Sequence, residues 1–355
     1  MNVMSRFRFA TTLLIVVAMT SCQQLPMVQS PSSNFNSRVN HLIIHFTSEN
    51  FGESLRILTG SVDRPVSAHY LLPGPGDPTY DQPSLVIYEL VPTELRAWHA
   101  GVSYWAGKTG LNDQSIGIEI VNESRCLESI KALANSPAFA DRCVFKPFSD
   151  EQIDLLIRLL QSILERYPDI QPHTIIGHSD IAPDRKIDPG PLFPWRQLYE
   201  AGIGAWYDDQ RVETLTKALG SLQLSIDLQQ RLLSAYGYKI EATGIEDTQS
   251  QLAVRAFQMH FRPRDYSGFF DTETLARLIS LLERYRPEAL AEIEDFPTLY
   301  ARPLGAALYD AVSTRSPKAL ARSRRVASSF GKCLQASVSN TKVITKIPMA
   351  LVMAS

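Results

Sequence analysis

His45, His178 and Asp188 are the residue types from which a catalytic metal site is made. Two imidazoles and one carboxylate occupy three tetrahedral positions and leave the fourth for water, whereas a structural zinc site closes all four. Their settings supply part of the case. His45 stands near the end of a run, 39–46, in which Val39, His41, Ile43 and His45 alternate with Asn40, Leu42, Ile44 and Phe46. His178 follows the short apolar run Thr174-Ile175-Ile176-Gly177, and Asp188 comes ten residues later in a loop dense in Pro and Gly. A histidine at a strand end is more often a satisfied core residue than a ligand, and periodicity alone does not pair His45 with His178. Glu119 has the clearest setting of any carboxylate. In Ser115-Ile116-Gly117-Ile118-Glu119-Ile120 the isoleucines share one face of a strand, and Ser115, Gly117 and Glu119 share the other. One face is core; the other is cleared of bulk around an acid.

The elements that must hold these residues follow from the same periodicities. Period-2 runs at 39–46 and 115–120, an apolar β-branched run at 84–90 and the short run at 174–177 read as strands. A helix opens on the capping box Ser149-x-x-Gln152, carries Ile153, Leu156, Leu160, Ile163 and Leu164, and closes near Pro168. The fold class is α/β (α+β), a mixed central sheet flanked by helices. Beyond about Val212 the pattern is helical only. Leu228, Leu232, Leu233 and Tyr236 form one stripe ending at Gly237. A second helix, capped by Thr248-x-x-Gln251, carries Leu252, Ala256, Phe257 and Phe261. A third starts at Asp271 with Leu275, Leu278, Ile279 and Leu282. Together they make a small all-α three-helix domain.

The ends of the chain are of a different kind. Arg6 and Arg8 precede an apolar run, 9–19, too short for the roughly 20 residues that span a bilayer but suited to a signal peptide. Small residues before Cys22 resemble a bacterial lipobox, in which that cysteine carries lipid. Gln23 after it resembles outer-membrane sorting. Residues 22–38, rich in Ser, Pro, Asn and Gln, read as a flexible tether. An exported chain permits a Cys126–Cys143 disulfide, which would close a loop and contribute about 3 kcal/mol. The formal charge of −2 hides an asymmetry: residues 1–310 hold 27 basic and 37 acidic side chains, whereas 311–355 hold eight basic and no acidic ones. No basic patch with interleaved aromatics occurs in the body, so nucleic acid is excluded as the main partner.

The stretches His41-Leu-Ile-Ile-His-Phe-Thr, Ser67-Ala-His-Tyr, Ala97-Trp-His-Ala-Gly, Leu111-Asn-Asp-Gln-Ser-Ile-Gly-Ile-Glu119 and Gly177-His-Ser-Asp-Ile-Ala-Pro-Asp-Arg-Lys-Ile-Asp-Pro-Gly-Pro-Leu-Phe-Pro-Trp195 occur in the order seen in the type-2 N-acetylmuramoyl-L-alanine amidases. The chain resembles that family over 39–212, with a fold like that of the peptidoglycan recognition proteins. Residues 213–286, with Leu232-Leu-Ser-Ala-Tyr-Gly-Tyr, look like the peptidoglycan-binding module of the AmiD-type outer-membrane lipoprotein amidases. The resemblance makes His45, His178 and Asp188 ligands of Zn(2+), Glu119 the general base and Lys186 the second catalytic group, with His99 and Trp98 toward substrate. It implies hydrolysis of the amide between the lactyl group of N-acetylmuramic acid and L-alanine of the stem peptide. The partners it implies are peptidoglycan and, through Cys22, a membrane, with the protein a monomer anchored to the outer membrane in the periplasm. A binding-only relative would lack a ligand, and all three are present. Residues 287–355, a basic tail that reads as disordered, match nothing in the resemblance.

Overall fold

A computed structural model describes residues 27–60, 63, 65–133, 139–220, 222–293 and 296. The signal peptide, Cys22 and nearly all of the basic tail lie outside the described residues. Residues 27–37 belong to a separate unit and carry no helix or strand, and the described residues from Arg38 onward form one unit.

Nine strands occur among the described residues: β1 (His41–Phe46), β2 (Tyr70–Leu72), β3 (Tyr88–Glu89), β4 (Tyr104–Trp105), β5 (Lys108–Thr109), β6 (Ser115–Ile120), β7 (Arg125–Cys126), β8 (Cys143–Val144) and β9 (Ile175–Gly177). Five make a sheet in the order β3-β2-β6-β1-β9, parallel except for the β2–β3 pair. All six residues of β1 are buried, as expected of a parallel strand covered on both faces. The register between β1 and β6 sets His41 opposite Ser115, Ile43 opposite Gly117 and His45 opposite Glu119, so the two sequence-flagged residues share one face.

Helix α1 (Phe51–Thr59) follows β1, α2 (Ile130–Leu133) and α3 (Phe139–Arg142) lie between β7 and β8, and α4 (Asp150–Arg166) leads toward β9. The capping box of α4 forms as its residues dictate. Ser149 accepts from the Gln152 amide, and Ile153, Leu156, Leu160 and Ile163 are buried in the main core. The Gln152 side chain then donates to the Val121 carbonyl just past β6, tying the helix start to the sheet. Cys126 and Cys143, paired across β7 and β8, are joined by a disulfide.

The run at 84–90 is shorter as a strand than its composition suggests: only Tyr88–Glu89 pairs. The Tyr80 hydroxyl donates to the Ser84 carbonyl and accepts from the Val86 amide, so a side chain takes the backbone groups that a ladder would have used.

After α5 (His178–Ile181) and α6 (Trp195–Glu200), the helical region comprises α7 (Asp209–Leu219), α8 (Ile226–Tyr236), α9 (Thr248–Phe261), α10 (Thr272–Tyr285) and the short α11 (Pro287–Ala291). The three expected helices are α8, α9 and α10. Helix α7 precedes them, its Arg211 paired with Glu283 of α10 at 2.7 Å, so helix begins a few residues before Val212. The cap of α9 is Asp247 and not Thr248: its carboxylate accepts from the Ser250 amide and hydroxyl, and these bonds, with those from Gln249 and Thr243, outweigh burial and lower its pKa to about 2. No described helix is long and apolar enough to cross a membrane.

The helical region shares a core with the sheet region. Trp105 of β4 is 1% exposed, packs edge-on against Tyr236 and Tyr238, and donates from Nε1 to the His173 carbonyl. Gly237, between the two tyrosines, lets the chain touch the indole: a Cβ there would lie 2.7 Å from Trp105 Cε2, and its φ of +150° disfavours side chains. Gly237→Ala should therefore destabilise the whole unit by about 1–3 kcal/mol, read as a lower midpoint in urea with one cooperative transition.

Candidate metal centre

The ends of β1 and β9 and the loop after α5 bring three side chains to one point. His45 Nδ1 and His178 Nδ1 are 2.9 Å apart, and each lies 3.0 Å from Asp188 Oδ2. All three residues are buried, at 1%, 2% and 5% exposure. Gly177 makes the approach feasible, since a Cβ there would sit 2.6 Å from Pro189 Cδ beside Asp188.

The outer ring nitrogens decide what the inner ones can do. His178 Nε2–H donates to the Ala100 carbonyl at 3.2 Å. The Ser115 hydroxyl is committed as donor to the Leu111 carbonyl at 2.6 Å, so it accepts from His99 Nε2–H at 3.2 Å. His99 Nδ1 is then an acceptor for His45 Nε2–H, 3.0 Å away. This network favours, for His45 and His178, the tautomer that turns a bare Nδ1 inward, although the Arg185 guanidinium also lies 3.4 Å from His178 Nε2. Burial, only partly opposed by the Asp188 charge, pushes His178 down to about 3, so that ring is neutral. Burial pushes the Asp188 carboxyl up, but His178, the two imidazole contacts and Lys186 hold it well below the carboxylate range. The two Nδ1 atoms and Asp188 Oδ2, within 3.0 Å of one another, converge on one point. The donor set fits a divalent cation, with two imidazoles and one carboxylate in place to serve as ligands and outer nitrogens engaged in hydrogen bonds.

Glu119 faces this cluster, with Oε1 3.9 Å from His45 Nδ1 and Oε2 buried without a hydrogen-bond partner. Burial, reinforced by the Asp188 charge and opposed by His45 and Lys186, raises its pKa to about 7. Both groups line a cavity of about 510 Å³ with Phe46, Trp98, Lys186 and the disulfide-linked hairpin residues Arg125 and Cys126. Lys186 makes no ion pair with any described residue, and Trp98 is 51% exposed on the rim.

The remaining histidines sort by their partners. His99 lines the cavity but is 8% exposed, with both ring nitrogens engaged internally, so its geometry is that of a support for His45 more than of a substrate contact. A Cβ on Gly117 would lie 2.3 Å from the His99 ring, so the strand face is cleared for that imidazole, with Glu119 beside it. His69 accepts from the Gly117 amide and donates to the Leu95 carbonyl. His41 bonds to Asn40 and does not join the cluster. Residue order could not have revealed the His45–His99–Ser115 chain, whose members lie on three separate segments.

An acid of raised pKa beside a buried two-histidine, one-carboxylate cluster that could hold a metal ion, in a cavity open to solvent, has the makings of a hydrolytic site. Comparison with known proteins narrows the class. A family model described as "N-acetylmuramoyl-L-alanine amidase" matches residues 35–191, and one described as "Putative peptidoglycan binding domain" matches 224–278. The chain is 42% identical over 249 residues to N-acetylmuramoyl-L-alanine amidase AmiD of Escherichia coli K12, covering 70% of this chain and 84% of that one. Against the 1,6-anhydro-N-acetylmuramyl-L-alanine amidase AmpD of the same organism it is 39% identical over 133 residues, 38% of this chain and 56% of the relative. Among solved structures, AmpDH3 from Pseudomonas aeruginosa superposes with a TM-score of 0.64 at 41% identity, over 77% of this chain and 99% of that one. Escherichia coli AmiD in complex with anhydro-N-acetylmuramic acid-L-Ala-D-gamma-Glu-L-Lys gives 0.60 at 39% identity, over 72% and 93%. The chain belongs to the N-acetylmuramoyl-L-alanine amidase family.

The raised pKa of Glu119 has a measurable consequence in metal-free protein. Between the usual value of 4.5 and about 7 the folded state holds a proton that the unfolded state releases, so stability falls as pH rises through that window, by on the order of 3 kcal/mol in total. Glu119→Gln should flatten that slope in urea unfolding measured from pH 4 to 8.

Proposed function

We propose that the protein is a zinc amidase of the cell wall, cleaving the amide between the lactyl group of N-acetylmuramic acid and L-alanine of the stem peptide. The observation that carries the reading is the buried triangle of His45 Nδ1, His178 Nδ1 and Asp188 Oδ2 beside an acid with a raised pKa. His45, His178 and Asp188 would hold the metal, which when bound supplies Lewis acidity toward the amide carbonyl and a water of lowered pKa. Glu119 takes the proton from the attacking water and returns it to the departing alanine nitrogen. A group near pH 7 in pKa suits both halves of that transfer. Lys186, facing the same cavity, offsets the negative charge that develops on the carbonyl oxygen, a kind of contact whose removal costs about 2.7–4 kcal/mol in oxyanion sites. Trp98 on the rim offers an aromatic face to the substrate.

The flanking segments extend the reading. In it residues 1–21 are a lipoprotein signal peptide, Cys22 carries lipid, 22–38 tether the enzyme to the outer membrane, 39–212 are the catalytic domain, 213–286 bind peptidoglycan, and the protein acts as a periplasmic monomer. The family model over 224–278 and the solved complex of Escherichia coli AmiD support the peptidoglycan part. The Cys126–Cys143 bridge fits an oxidising compartment.

Zinc-loaded protein should release stem peptides from purified sacculi, and a chelator should stop the release. Intact sacculi after incubation with the loaded enzyme would overturn the assignment. Glu119→Ala should abolish turnover with zinc still bound at one equivalent, measured by atomic absorption. Cys22→Ser, expressed in a Gram-negative host, should move the protein from the membrane pellet to the soluble fraction.

A further inference from the structure

One buried acid near the metal ligands has no part in the proposed reaction. Asp180, two residues beyond His178, is 1% exposed. Its Oδ2 accepts from the Gly177 amide at 2.8 Å and from His260 Nδ1 at 2.8 Å, and its Oδ1 accepts from the Tyr238 hydroxyl at 2.5 Å. Tyr238 follows α8 and His260 lies in α9, so two of its three donors come from the helical region. The His260 ring is held in turn, stacked on Trp195 with centroids 3.8 Å apart.

The turn that Asp180 closes carries His178 and, through its backbone, holds the segment of Asp188. Gly177 precedes His178, and the next amide, Ser179 N–H, donates to the Asp188 carbonyl at 2.8 Å. A buried carboxylate stripped of its cross-region donors cannot stay in place without new partners and would turn toward water. It would then release the Gly177 amide and with it the geometry of Gly177, His178 and Ser179.

We propose that Tyr238 and His260 are positioning residues of the metal centre: acting through Asp180, they hold the turn that aims His178 Nδ1 and anchors Asp188. The helical region is thereby part of the scaffold of the metal site, whatever polymer it also binds. This deepens the amidase reading and rests on it for the identity of the metal, but not for the hydrogen-bond chain.

The test uses full-length Tyr238→Phe, His260→Ala and His260→Gln, the last keeping an N–H donor. Zinc affinity is measured by competition with a chelating dye, and kcat and KM are measured on a small soluble muramyl peptide and on sacculi. Tyr238→Phe and His260→Ala should weaken zinc binding about 10-fold or more, as loss of an outer-shell partner typically does, and lower kcat on the soluble substrate as well as on sacculi. His260→Gln should recover most of both. Unchanged zinc affinity in the folded variants, with only the KM for sacculi raised, would overturn the proposal in favour of a purely polymer-binding region. Should His260→Ala fail to fold, Tyr238→Phe, which removes a single hydroxyl, decides the matter by the same dye competition. If neither substrate is cleaved by the parent protein, the amidase reading fails, while the zinc affinities still judge the positioning role.

Discussion

Two imidazole nitrogens and a carboxylate oxygen, all buried, are held within 3.0 Å of one another, and much of the surrounding structure keeps them there. Each ligand is pinned from behind. His45 is held by His99 and thence by Ser115, His178 by the Ala100 carbonyl, and the Asp188 backbone by the Ser179 amide. Ala100 is itself fixed, its amide donating to Asn112 and its carbonyl also accepting from Arg185. The site is thus stiffened by a chain of hydrogen bonds behind each ring.

The parallel pairing of β1 with β6 sets the acid against the cluster. Because His45 and Glu119 are register partners, the acid stands beside the cluster by sheet construction and not by the chance course of a loop. The same registry sets Gly117 under His99, where a side chain would expel the ring that orients His45. Around this floor the walls come from distant sequence: Trp98 from the loop after β3, Lys186 from the loop after α5, and the β7–β8 hairpin locked by its disulfide. That hairpin packs in turn on the helical region, where Phe139 and Phe145 meet Tyr266 and the Arg255 guanidinium lies over Phe139. Catalytic wall and helical region are therefore mechanically continuous.

Local patterns were legible wherever a single element supplied its own reason. The capping box at Ser149, the one-sided isoleucines of 115–120, the apolar spacing of α4 and the stripes of α8, α9 and α10 all form as their residues suggest. Local pattern misled where a distant or neighbouring side chain competed. Tyr80 took the backbone groups of 84–86, and Asp247, a better acceptor than a threonine hydroxyl, took the cap of α9 one residue earlier than expected.

Residue types, motif order and periodicity in the sequence alone determined the family, the mixed sheet with its helical appendix, and the short set of residues suited to hydrolytic metal chemistry. They could do so because ligand chemistry and amphipathic period are properties of side chains and their spacing. Tertiary structure alone decided that His45, His178 and Asp188 converge through their Nδ1 atoms and one carboxylate oxygen, that His99 supports His45, and that the helical region shares the core through Trp105, Gly237 and Tyr238. Those facts depend on contacts between segments more than fifty residues apart, and tautomer, burial and registry come into being only when the segments meet.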